Sequence, residues 1–391
     1  KACLESLARH TPAGVAEVIV VDNGSTDETA HALAPLGKQL FGNLFTPIRW
    51  EENRNFGPAC NAGAEAARAP MLFFLNNDTL LTPNWLPPLL EAFDANPRLG
   101  AVGPLLLYEN GTVQHMGVTF APPNCVFHLY ARFPSTHRVV RQKRRLQAIT
   151  GAALMVPQQL FQACNGFFAD YRNGFEDVEL SLRIRQQGYT LECIPSSTIY
   201  HLESQTPGRQ NGNDFNSRLL FSRCSHDFFV DIHRHALRDG FVVTVDDALC
   251  LSVKVGKEES AELFSMVKGK SLEDLYSLVS LNPLWVEGHV ALAQKLEAAT
   301  ALKEAACIWA KISNSVSSLP VLENAMRLAK AVDHTSLLEQ VLMRHQMLCE
   351  MNSTPERAKI HCKQVLRKAQ STNDKVLENL YTEALRRFEV M

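Results

Sequence analysis

The stretch Met71-Leu72-Phe73-Phe74-Leu75-Asn76-Asn77-Asp78-Thr79 sets five apolar residues against two amides and a carboxylate. It reads as a strand buried on both faces whose polar end emerges at the carboxyl edge of a sheet, where open α/β sheets bind ligands. One carboxylate, Asp78, flanked by the amides of Asn76 and Asn77, can hold a hard divalent cation and leave room for the oxygens of a diphosphate. The stretch therefore points to metal-assisted transfer from a nucleotide-activated substrate. The same residues would equally make a strand followed by a capped turn ahead of Pro83.

A second acid ends a second apolar run. Val18-Ile19-Val20-Val21 breaks into Asp22-Asn23-Gly24-Ser25-Thr26-Asp27, so Asp22 at a strand's end can accept from a base N–H or a ribose hydroxyl. Ser25 or Thr26 is placed to cap the next helix, with Glu28 in its first turn. In Asn53-Arg54-Asn55-Phe56-Gly57-Pro58-Ala59-Cys60-Asn61-Ala62-Gly63 small residues admit close backbone approach, and Asn53 and Asn61 offer paired donors and acceptors. Thr150-Gly151-Ala152 opens a strand with small side chains, as expected where a sugar needs space. Asn173-Gly174-Phe175-Glu176-Asp177-Val178-Glu179 opens a helix, with three acids favouring its dipole and Gly188 as its C-terminal cap. His201 ends an apolar strand. The cations Arg138, Arg141, Lys143, Arg144 and Arg145 crowd one segment, either as a solvated loop or as a contact for a diphosphate or an anionic lipid-linked acceptor.

The elements that must position these residues follow from periodicity. Residues 1–10 read as an amphipathic helix, 44–50 as a strand, 62–69 as a helix, and 83–95 as a helix with Trp85, Leu86, Leu89, Leu90 and Phe93 inward. Strands at 101–108 and 113–120 are joined at Asn110-Gly111, a hairpin dipeptide. Strands at 191–194 and 198–201 precede a polar stretch, 203–213, read as a lid, and a helical segment at 214–238. Beyond 245 the chain turns to Ala, Leu, Lys and Glu. Helix pairs recur near 285–309, 322–347 and 356–388, the spacing of helical repeats, which offer a concave surface to a protein partner. His289, His334 and His361 read as surface residues there.

Bulk properties narrow the classes. With 391 residues, 46% apolar and 20% charged, the chain is an ordinary globular protein of two domains. A formal net charge of -2 gives no pull toward nucleic acid. Ten scattered cysteines without a Cys-x-x-Cys pair fit reduced thiols rather than a zinc cage. No apolar run is long enough to span a bilayer, and the reading is of a cytoplasmic protein, at most peripheral at the inner face of the membrane.

Three motifs in order, Val20 to Asp27, Asn55 to Gly63 and Leu75 to Thr79, resemble the nucleotide-sugar half of family 2 glycosyltransferases of GT-A fold. The resemblance implies an α/β, Rossmann-like domain at 1–240 whose first strand lies ahead of residue 1. A linker region at 241–280 and an α-helical, tetratricopeptide-like domain at 281–391 follow. It implies that Asp22, with Asn23 and Ser25, meets the donor nucleotide, that Asn53, Asn61, Asn76 and Asn77 line its pocket, and that Asp78 is the metal-binding acid. Asn76 stands where the family often has a first Asp. Thr150, Gly151 and Ala152 match the acceptor-side floor. The family's Glu-Asp pair falls on Glu176 and Asp177, with Asp177 as the base that deprotonates the acceptor hydroxyl, and His201 completes the metal site opposite Asp78. The implied cofactor is Mn2+ or Mg2+, the partners a nucleotide-sugar donor and a glycan or lipid-linked acceptor. A nucleotidyltransferase would need a glycine-rich basic phosphate loop, which the sequence lacks. A degenerate sugar-nucleotide-binding scaffold with a recruiting helical tail is the remaining alternative.

Overall fold

The computed structural model describes residues 1–122, 124–202 and 213–388, so the stretch read as a lid lies outside the described residues except for its last position. Two compact units are present: Lys1–Thr119 with Val126–Phe228, and Phe120–Cys125 with Phe229–Met391.

The first unit runs α1 (Ala2–His10), β1 (Val18–Asn23), α2 (Thr29–Phe41), β2 (Phe45–Trp50), α3 (Phe56–Ala66), β3 (Met71–Leu75), β4 (Thr79–Leu81), α4 (Pro87–Ala95), β5 (Leu99–Leu107) and β6 (Val113–His115). Strands β7 (Val118–Ala121) and β8 (Cys125–His128) lead to β9 (Ala153–Pro157), α5 (Gln158–Ala163), α6 (Glu176–Gln186), β10 (Thr190–His201) and α7 (Asn213–Cys224). A mixed sheet has the order β3-β9-β5-β10-β4 with β6 added on β5, while β1 and β2 form a separate parallel pair. Every residue of β5 is buried. Gly100 is required there, because a Cβ would lie 2.5 Å from Ile184 and 2.6 Å from Tyr189 of the α6 region. Pro104 sits in this central strand without an N–H to give, and β10 shifts register opposite it, between Ile194 and Thr198. Leu89, Val102, Leu106, Ala153, Met155 and Ile199 form the core between sheet and α4, with Leu7 of α1 against it. Each such large side chain contributes roughly 1.5–3 kcal/mol by its burial.

Several local expectations change. Strand β3 is half-buried, with Leu72 and Phe74 inside and the alternate residues partly exposed, because it lies at the end of the sheet and pairs only with β9 among the described strands. Helix α3 starts at Phe56, not 62; Pro58 is tolerated in the first turn, where its missing N–H has no intrahelical partner to lose. Neither Ser25 nor Thr26 caps α2, whose first N–H at Thr29 is taken by Asp27 Oδ1 at 3.0 Å. Helix α4 begins at Pro87, and Leu90 points to solvent. The two strands expected at 191–201 are one, and the helix expected at 214–238 is broken, α7 ending at Cys224 and a second helix starting at Ile232.

The second unit contains α8 (Ile232–Arg238), the hairpin β11 (Val242–Val245) and β12 (Leu251–Lys254), and the helices α9 (Lys257–Val267) and α10 (Leu272–Leu281). Residues 241–280 are thus folded into named elements. Then come three helix pairs: α11 (Val286–Ala298) with α12 (Leu302–Ser315), α13 (Leu319–Ala331) with α14 (Thr335–Ser353), and α15 (Pro355–Ser371) with α16 (Lys375–Arg386). Glu297 of α11 accepts from Trp309 Nε1 of α12 at 2.8 Å and pairs with Arg327 of α13 at 2.6 Å, tying one pair to the next. His334 is exposed and caps α14, but His289 is buried, its Nδ1 on Trp285 O at 2.8 Å. Burial pushes His289 down to about 4, and His361 is also lowered by burial.

Candidate functional site

The parallel pairing of β1 and β2 sets Asp22 beside Arg49. Asp22 is buried; it accepts from Ser25 N at 3.0 Å through Oδ1 and forms an ion pair with Arg49 through Oδ2. Asn23 gathers the next loop: its Nδ2 donates to Asn53 Oδ1 at 3.2 Å and to Asn55 O at 2.9 Å, and its Oδ1 accepts from Arg54 N at 2.8 Å. Asn55 takes a positive φ of 70°, and Phe56 N then donates to Asn173 Oδ1 at 2.8 Å. The loops of residues 22–27 and 53–56 are thereby joined to the Asn-Gly-Phe-Glu-Asp turn. Asn61 uses both ends of its amide on the backbone of Phe167, at 2.8 and 2.9 Å, so its role in the structure is to hold that loop.

The turn from β3 to β4 presents Asn76, Asn77 and Asp78. Thr79 Oγ1 donates to Asn76 O at 2.7 Å, which tightens the turn, and Asn77 is exposed. Antiparallel pairing of β10 with β4 sets His201 opposite Thr79, next to Asp78. His201 Nε2 lies 3.0 Å from Asp78 Oδ1 and 3.3 Å from Asn76 Nδ2. A carboxylate oxygen and an imidazole nitrogen side by side are a donor set that suits a borderline divalent ion such as manganese. Among the described residues no cluster of three or more His, Cys, Asp or Glu side chains gathers around a metal position, so other ligands of such an ion would be amide, water or substrate oxygens.

Asp177 lies in the first turn of α6. Its Oδ2 accepts from Gly151 N at 2.7 Å and its Oδ1 from Val178 N at 2.8 Å. Each carboxylate oxygen keeps a lone pair beyond these bonds for a hydroxyl proton. A glycine suits position 151, because a Cβ would stand 3.2 Å from Asp177 Cβ and 3.3 Å from the Phe56 ring, close enough that one of them would have to give way. One residue on, Ala152 O accepts from Asn76 N at 2.9 Å. The tripeptide Thr150-Gly151-Ala152 is thus hydrogen-bonded to Asp177 on one side and to the Asn76–Asp78 turn on the other. Glu176 is buried and accepts from Gly174 N at 2.6 Å, holding the strained turn in which Phe175 has a φ of 73°. Glu179, also buried, takes a fork of bonds from Arg223 at 2.9–3.3 Å and lies 3.6 Å from Arg183. Tyr171 is raised above the usual phenol range by burial and by Glu179.

Motif reading gave no role to four residues that matter to this geometry: Arg49, Asn173, Gln114 and His115. The last two are buried polar residues on β6. His115 Nε2 accepts from Thr150 N at 3.2 Å, and its Nδ1 meets His128 Nδ1 at 2.7 Å. Burial first, then His128 and His201, hold its imidazole well below the ordinary range. The available signal was two adjacent polar side chains inside an otherwise apolar strand, which must find partners. Of the basic run, Arg144 is buried and donates to Val139 O at 2.7 Å, while Arg138, Arg141, Lys143 and Arg145 are exposed.

Residues 1–163 match the profile of the family described as Glycosyl transferase family 2. Over 207 residues the chain is 30% identical to the O-antigen biosynthesis protein RfbC of Myxococcus xanthus, covering 51% of this chain and 16% of that protein. Over 228 residues it is 27% identical to the N-acetylglucosaminyl-diphospho-decaprenol L-rhamnosyltransferase of Mycobacterium tuberculosis, covering 52% of this chain and 71% of that one. A crystal structure of GalNAc-T7 with UDP, GalNAc and Mn2+ is similar at a TM-score of 0.42 and 19% identity, over 51% of this chain and 40% of that one. The chain spans less than a quarter of the length of the first relatives it matches.

Proposed function

Starting from a glycosyl transferase family 2 domain at residues 1–163, we propose that this chain moves a sugar from a nucleotide-diphosphate donor, UDP- or dTDP-linked, to an acceptor hydroxyl with inversion. The setting is cell-surface polysaccharide or glycan assembly, as the names of the two bacterial relatives suggest. One observation carries the reading. Asp177 and Asn76, far apart in sequence, are both hydrogen-bonded into one small-residue segment, through Gly151 N and Ala152 O, and the turn that Asn76 opens carries the Asp78 that meets His201.

Asp78 and His201 would hold a Mn2+ or Mg2+ ion, which when bound neutralises charge on the leaving diphosphate. The protein's own groups do the rest. Asp22 and Asn23, fixed by Arg49 and by Asn53, present their remaining acceptor lone pairs to the nucleotide at the strand end. Gly151 leaves open the space that a side chain would fill, and its N–H orients the Asp177 carboxylate. Asp177 takes the proton of the acceptor hydroxyl as its oxygen attacks the anomeric carbon from the side opposite the leaving group. A single displacement of this kind inverts the anomeric centre. The helix pairs of the second unit are read as a surface for a protein partner.

Turnover of a panel of UDP-, dTDP- and GDP-sugars with Mn2+ and a mixture of glycan acceptors tests the reading. Release of nucleotide diphosphate with one donor and formation of the inverted glycoside is the expected result. Donor binding without consumption under every condition would instead identify a sugar-nucleotide-binding scaffold.

A further inference from the structure

Strand β6 pairs with β5 through a bulge. Leu106 faces His115 and Leu107 faces Val113, so Gln114 is the extra residue between them. A bulge re-aims the side chains beside it, which is how the adjacent residues Gln114 and His115 come to serve two neighbouring parts of the site. Gln114 is 3% exposed, and a buried primary amide is costly unless both its ends are bonded. Both are, and to one residue: Nε2 donates to His201 O at 3.1 Å, and Oε1 meets His201 Nδ1 at 2.7 Å.

The chemistry of these contacts orders the hydrogens. A backbone carbonyl only accepts, so the amide nitrogen must be the end that faces His201 O, and the amide oxygen then faces Nδ1. That oxygen also only accepts, so Nδ1 carries a hydrogen. In a neutral imidazole the remaining lone pair lies on Nε2, which points at Asp78 Oδ1 and Asn76 Nδ2. Asp78 pulls the other way: a carboxylate 3.0 Å from Nε2 stabilises a proton on that nitrogen. Gln114 and Asp78 compete over which ring nitrogen is protonated.

Resting on the reading of His201 and Asp78 as a cation pair, we infer that Gln114 is a positioning residue for that pair. It holds the hydrogen on Nδ1 and so keeps Nε2 available as a ligand. Outer partners of this kind typically contribute about 10- to 100-fold to metal affinity. Gln114→Leu, similar in volume, removes the acceptor and lets the hydrogen move to Nε2, where Asp78 holds it. Gln114→Glu keeps an acceptor oxygen toward Nδ1 but gives up the donor to His201 O.

Titration of Mn2+ alone, followed by the loss of its free-ion electron paramagnetic resonance signal, tests this in the full chain. The expected result is about 10- to 100-fold weaker binding for Gln114→Leu and a clearly smaller loss for Gln114→Glu. Wild-type affinity in Gln114→Leu, or equal losses in the two variants, overturns the inference. His201→Ala run alongside separates the two layers: if it binds Mn2+ as wild type does, the cation pair itself is wrong. Nitrogen-15 NMR of the wild-type imidazoles at about pH 8.5 requires no variant to fold. A protonated His201 Nδ1 is expected, and a bare Nδ1 refutes the role of Gln114 whatever the metal does.

Discussion

Asp177→Asn exchanges one carboxylate oxygen for an NH2 group and so probes the centre of the proposed chemistry. Asp177 accepts two backbone N–H bonds, from Gly151 at 2.7 Å and from Val178 at 2.8 Å, one on each oxygen. An asparagine has a single acceptor, so one of the two N–H groups must face another donor. Losing a hydrogen bond to a charged group costs about 1.5–3 kcal/mol. At about 2–4 °C per kcal/mol for a unit of this size, the melting temperature should fall by roughly 3–12 °C. Loss of a general base should lower kcat by about 10²- to 10⁴-fold. The two effects separate because a folded population well below its transition has no reason to lose turnover in proportion to stability. Steady-state kinetics at 20 °C, calorimetric donor binding and a melting curve on the same preparation make the comparison, with kcat lost and donor affinity held within about threefold of wild type. A kcat within about tenfold of wild type refutes Asp177 as the base. A donor affinity that falls as far as kcat does would show that the residue binds rather than deprotonates.

Gly151→Ala should crowd Asp177 and Phe56 at 3.2–3.3 Å and destabilise the fold by about 1–3 kcal/mol. It should lower kcat more than it raises the donor KM, which initial-rate kinetics will read. Glu179→Gln removes the buried charge that holds Arg223 and Arg183 and should cost about 3–5 kcal/mol in urea unfolding. A midpoint unchanged from wild type would mean that this fork is not structural. Buried neutral imidazoles should make the protein acid-labile: His289 is lowered to about 4 and His115 is also depressed, each by burial. The unfolded chain then binds protons below about pH 6.5 that the fold refuses, so stability is full above that pH and declines as pH falls toward 4. His289 alone accounts for up to about 3 kcal/mol of this. Urea midpoints that rise or stay level between about pH 7 and pH 4.5 would contradict that sign.

The stretches that could do chemistry were legible because each is local. An apolar run that breaks into polar residues marks a strand end, as at Asp22 and at Asn76–Asp78, and an acid-rich turn before an apolar helical face marks a helix start, as at Glu176–Asp177. The three helix pairs of the second unit were legible for the same reason, their recurrence being written in residue order. Exposure was less so: His289 has the composition of a surface residue, yet it bonds to Trp285 O inside the repeat. Asn61, chosen for its amide, spends that amide on Phe167, which lies 106 residues later.

By itself the sequence determined the type and order of most elements and the identity of most chemical groups, since apolar periodicity and the polar breaks at strand ends are properties of neighbouring residues. Tertiary structure alone decided which groups meet. The register of β10 on β4 brings His201 to Asp78, the bulge of β6 on β5 turns Gln114 onto His201 and His115 onto Thr150, and the Gly151 N–H finds Asp177. These are pairings between strands and loops distant along the chain, and a one-residue slip in any of them would send the same side chains to the opposite face.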